Sequence, residues 1–95
     1  MNIQHALTGS LIHIFKTEPE LKEVARKALE GEKDISLNRT IIQEFVRENF
    51  GTQVKFSIIT FDGYVTEITV YGHGTITQTD INSATREALE LLTRT

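Results

Sequence analysis

Ninety-five residues of which 39% are apolar are enough for one domain with a modest core, burying roughly 60–70% of the surface that the unfolded chain exposes. The absence of cysteine excludes disulfides, thiolate nucleophiles and cysteine-ligated zinc. Ten basic against thirteen acidic residues give a net charge of −3, which favours solubility and disfavours non-specific nucleic-acid binding.

No apolar stretch approaches the ~18–20 residues that span a bilayer, so no membrane association is expected. The opening residues show neither a basic leader nor a cleavage site, and a cytoplasmic location is expected from that.

In chain order, residues 2–16 allow two readings. Ile3, Leu7, Leu11, Ile14 and Phe15 recur at helical spacing, while Gly9 interrupts the pattern and residues 11–15 could form a short buried strand. Helix is the favoured reading. Thr17-Glu18-Pro19-Glu20 has the form of a capping box with proline in the first turn, and Leu21, Val24, Ala25, Ala28 and Leu29 follow as one stripe. A helix over 18–30 is therefore predicted, stopped by Gly31. After a polar turn, Ser36 is the expected cap of a helix over 37–50 whose inner face carries Leu37, Ile41, Phe45 and Val46, with Gly51 ending it.

Residues 53–60 and 64–71 read as an antiparallel hairpin, around which the helices must pack because two strands alone are unstable in water. A two-residue Asp62-Gly63 turn would set the apolar face of one strand against the polar face of the other. A three-residue loop, Phe61 to Gly63, pairs Thr60 with Tyr64, Ile58 with Thr66, Phe56 with Ile68 and Val54 with Val70, so that the apolar faces agree. That register is the one expected. It directs Lys55, Ser57, Glu67 and Thr69 to the wetter face, joined near the tip by Ile59 and Val65.

Tyr71 to Gly74 forms a turn, Thr75-Ile76-Thr77 a short strand, and Thr79 or Asp80 the cap of a last helix over 80–93. That helix is expected to cross the Val54/Phe56/Ile58 face. The whole is an α+β domain. Its two strands leave open edges, so either residues 10–15 add a third strand or the hairpin pairs with that of a second copy, and a homodimer is favoured.

The chemistry-bearing residues do not assemble into a motif. His5 and His13 would stand about 12 Å apart along a helix, too far for one zinc ion, and His73 is remote in sequence. No metal, no cofactor and no catalytic residue is assigned. The serines lack nucleophile contexts, Asp62 and Asp80 are explained by a turn and a cap, and Glu67 is expected to face solvent. Gly72-His73-Gly74 could cradle an anion, though it lacks the third glycine or the lysine of the phosphate loops, and a simple turn is the favoured reading.

By exclusion the chain reads as a small non-catalytic interaction or regulatory protein (inhibitor, adaptor or immunity type). It would meet a partner protein through Ile59, Phe61, Val65, Glu67 and Tyr71 and through a strand edge. The alternative rests on residues 18–70, whose helix, turn, helix and hairpin follow the order of winged helix-turn-helix DNA-binding domains. There Asn38, Arg39, Gln43 and Arg47 would lie on the recognition helix and residues 54–71 would form the wing. Glu44 and Glu48 beside those arginines, and Phe61 and Asp62 at the tip, weigh against a phosphate-facing surface, and nucleic acid is the second choice of partner.

Overall fold

Four helices and a three-stranded antiparallel sheet follow the order α1 (Ile3–Thr17), α2 (Pro19–Glu30), α3 (Arg39–Phe50), β1 (Phe56–Phe61), β2 (Tyr64–Val70), β3 (Gly74–Thr77) and α4 (Gln78–Thr93), an α+β fold. The computed structural model describes residues 2–94.

Residues 2–16 settle as helix. Gly9 inside α1 costs about 1 kcal/mol relative to alanine, but Leu7, Leu11 and Phe15 are buried on one side of the helix and each contributes about 1.5–3 kcal/mol. Burial wins. The Asn2 side chain caps α1 by accepting from the His5 amide. The expected capping box at Thr17 does not form. Thr17 is the last residue of α1, and its hydroxyl turns back to the His13 and Ile14 carbonyls. Glu18 caps α2 without a side-chain bond, and Pro19 supplies the preset first turn.

The stop of α2 also differs from expectation. Gly31 keeps a negative φ, and Glu32 takes the left-handed position at φ 54°. Lys33 N–H donates to the Ala28 carbonyl and Glu32 N–H to that of Leu29, a Schellman closure with glutamate where glycine is usual. Downstream, Ser36 is not the cap of α3. Asn38 is, accepting from the Ile41 amide, so α3 starts two residues later than expected and Leu37 is buried ahead of it.

The sheet has the order β1-β2-β3, so the third strand comes from Gly74–Thr77, beside β2, and not from residues 10–15. The hairpin register is a correction. Phe61 pairs with Tyr64 across a two-residue Asp62-Gly63 turn whose φ values are both positive, 51° and 81°, as a type I′ turn requires. The mismatch of faces that counted against this turn is repaired further along. Thr60 pairs with Val65 but Ile59 with Glu67, so Thr66 is an extra bulged residue that resets the alternation on β2. Beyond it Ile58 meets Ile68 and Phe56 meets Val70. The bulge turns Val65 inward, where it is 5% exposed, rather than to the wet face.

α4 begins at Gln78 with Thr77 as cap, and Asp80, the third residue in, returns a carboxylate bond to the Thr77 amide. This true capping box replaces the expected cap at Thr79 or Asp80. α4 runs alongside α1, its buried Ala84 and Ala88 allowing a close seam, and lies over β2 and β3 rather than across β1. Hence Ile68, Val70 and Ile76 are fully enclosed, while Phe56 and Ile58 of β1 are only half-buried.

Between α2 and α3, the connection is pinned to α4 at Asp34 and Ile35. Asn82 accepts from the Ile35 amide at 2.9 Å and donates to Asp34 at 3.0 Å, and Gln78 donates to the Ile35 carbonyl at 3.0 Å. Ile35 and Leu37 are thereby held in the core.

Candidate functional site

Since α1 and α4 cover one side of the sheet, the other side lies open. Alternation places Ser57, Ile59 and Phe61 of β1 on that side with Thr69 and Glu67, the partners of Ser57 and Ile59, and Tyr71 continues the row of β2. Ile59 is 53% exposed, Phe61 70% and Tyr71 55%. Glu67 is half-buried opposite Ile59, and the hydroxyls of Thr69 and Thr75 bond each other at 2.9 Å. Thus Ile59, Phe61, Glu67 and Tyr71 share one surface, and Val65 belongs to the core beneath it.

Two surface features escaped the pattern reading. Tyr64 is exposed beside Phe61 at the hairpin tip. Val24, expected on the inner stripe of α2, is 66% exposed, and of that stripe only Ala25 is buried. Leu21, Ala28 and Leu29 pack half-buried against the core, and beside Val24 an apolar groove of about 210 Å³ opens between α2, α1 and the 33–37 loop, with Leu11, Phe15, Val24, Ala28, Leu37 and Tyr64 among its walls. A helical stripe predicts which residues face inward, not how closely the helix is drawn in.

No family model matches the chain, and neither a curated protein nor a solved structure is significantly similar to it. What it does must be argued from its own surfaces.

The residues of the DNA-binding alternative lie on α3 and its cap. Arg39 and Arg47 are exposed, Gln43 is half-buried, and the Asn38 side chain is engaged by the Ile41 amide. Glu44 and Glu48 are exposed on the same helix. α2 packs on α1 and α4, α3 packs on α1, and residues 31–38 separate the two helices, so the close helix pair of a helix-turn-helix is not formed.

His73 packs its ring on Phe50, centroids 4.6 Å apart, while its amide donates to the Val70 carbonyl. Gly72 and Gly74 have φ of 87° and 136°, and a Cβ on Gly74 would stand 3.1 Å from the Ile3 side chain. Backbone conformation and close approach thus account for the Gly-His-Gly run. Asp80 already occupies the start of α4 nearby. Among the described residues, no three His, Asp or Glu side chains are grouped to hold a metal ion. On α2, Arg26 bonds both Glu23 and Glu30, and its guanidinium holds the Glu23 carboxyl below the usual carboxylate range. No described helix is long and apolar enough to cross a membrane.

Proposed function

We propose that this chain is a non-catalytic interaction or regulatory protein whose contact surface is the open face of the sheet. The supporting observation is that Ile59, Phe61 and Tyr71 stand more than half exposed on one face of the sheet, two of them aromatic. Aromatic side chains carry large contact area at low entropic cost and serve as binding anchors. Glu67, half-buried in their midst, adds a charge requirement: the partner is a protein with an apolar patch and a Lys or Arg placed to meet that carboxylate. We take the cytoplasm as its place of action and a homodimer as its state.

The test is capture of the binding partner by the full chain against the variants Phe61→Ala and Tyr71→Ala. Both side chains are exposed, so the fold should persist by circular dichroism while affinity falls about 30-fold, an anchor's cost of about 2 kcal/mol. Unchanged affinity in both variants would remove this surface from consideration.

A further inference from the structure

The free edge of β1 has the properties of a pairing surface. Its six residues, Phe56-Ser57-Ile58-Ile59-Thr60-Phe61, include no charge, no proline and no glycine. Edge strands are ordinarily blunted by one of these or by a bulge. Here the bulge sits on β2, at Thr66, and leaves β1 regular. The strand's own groups show what is available. Lys55 accepts from the Tyr71 amide at 3.0 Å, so by alternation residues 55, 57, 59 and 61 turn their backbone groups toward β2. Phe56, Ile58 and Thr60 turn theirs away, to a side where no strand lies among the described residues. The core-side groups of that strand, Phe56 and Ile58, are also the ones left half-covered by the helices.

We propose that two copies of this chain join β1 to β1 in antiparallel fashion about a twofold axis at Ile58, forming one six-stranded sheet. Ile58 then faces its own mate, Phe56 faces Thr60 of the other copy, and Ser57 faces Ile59. This register employs every outward amide and carbonyl of Phe56, Ile58 and Thr60, about six bonds, whereas centring on Ile59 would use about four. It also brings the half-covered Phe56 and Ile58 side chains of both copies together on the core side.

Charge agrees with the antiparallel sense. Lys55 precedes the strand and Asp62 follows it, so each end of the shared ladder sets a lysine of one copy within a residue of an aspartate of the other. The dimer deepens the interaction reading, on which it rests for its purpose. The two open faces merge, and the partner-binding surface then carries Ile59 and Phe61 from both copies.

Sedimentation equilibrium of the full chain, joined to amide exchange followed by NMR, tests this. A dimer is expected, with the Phe56, Ile58 and Thr60 amides protected at high concentration and exposed on dilution by about a hundredfold. Ser57 and Ile59, bonded within the hairpin, should not respond. Thr60→Pro removes an outward amide at an exposed edge position and should yield a folded monomer. Should that variant fail to fold, the exchange pattern of the unaltered chain decides alone. A monomer at all concentrations, or a dimer that protects other amides, overturns the proposal. A monomer whose partner capture still depends on Phe61 would leave the interaction reading standing, and a β1-paired dimer indifferent to Phe61 and Tyr71 would do the reverse.

Discussion

Glu32 is the residue most at odds with its backbone. Left-handed geometry costs an L side chain about 1–2 kcal/mol, and glycine adopts it freely. Because Gly31 beside it keeps a negative φ, the glycine sits one position early for the closure it accompanies. Glu32→Gly is expected to raise stability by about 0.5–1 kcal/mol, measured as a higher urea midpoint at unchanged slope. Asn82 has the opposite importance. Its amide satisfies the Ile35 N–H and also bonds Asp34, linking positions 47 and 48 residues apart in the chain. Asn82→Ala strands a part-buried donor and should cost about 1–3 kcal/mol in the same measurement. Neither role shows in the sequence. A Schellman closure depends on where the last turn ends, and Asn82 reads simply as a polar residue on a helix until the loop it meets is in place.

At the scale of elements, the hairpin carries the main lesson. Asp62-Gly63 is a strong two-residue turn signal, and the apolar pattern contradicts it only if both strands alternate without interruption. The structure keeps the turn and interrupts the strand. Local turn chemistry and core burial are both satisfied because one bulged residue, Thr66, absorbs the disagreement. Deleting Thr66 should therefore leave a regular ladder with Val65 and Ile68 still inward, losing the Thr66 hydroxyl bond to the Ile59 carbonyl and about 0.5–1.5 kcal/mol. Deleting Thr69 instead reverses the faces of the residues on one side of it and should abolish cooperative unfolding. Thermal melts of the two deletions separate these outcomes. α2 shows the limit of pattern at this scale: its stripe is legible, yet Val24 stands exposed beside a groove, while the connection that follows is bonded to α2 at Glu32 and Lys33 and to α4 at Asp34 and Ile35.

For the molecule as a whole, one cluster of buried side chains unites α1, α3, α4 and the inner face of β2 and β3. Phe45, 1% exposed, stands edge-on to Phe50, whose ring in turn supports His73, so α3 is coupled to the turn before β3. Phe45→Ala should cost about 3–5 kcal/mol, a large part of the ~5–15 kcal/mol by which such domains are stable, and denaturant unfolding would register it. The outer face of the sheet and the edge of β1 lie outside this core, and both proposals rest on them.

Periodicity and turn residues by themselves determined the α+β class, the last three helices near their observed positions, the hairpin, and the exposure of Ile59, Phe61 and Tyr71, and they favoured helix over strand for residues 2–16. These follow from local rules, since a side chain's face is set by its spacing from its neighbours. The bulge, the inward turn of Val65, the pairing of the short strand Gly74–Thr77 with β2 and the groove beside α2 were decided only in three dimensions. Each is a compromise between segments distant in sequence over the same limited interior, and no single segment records how that competition is settled.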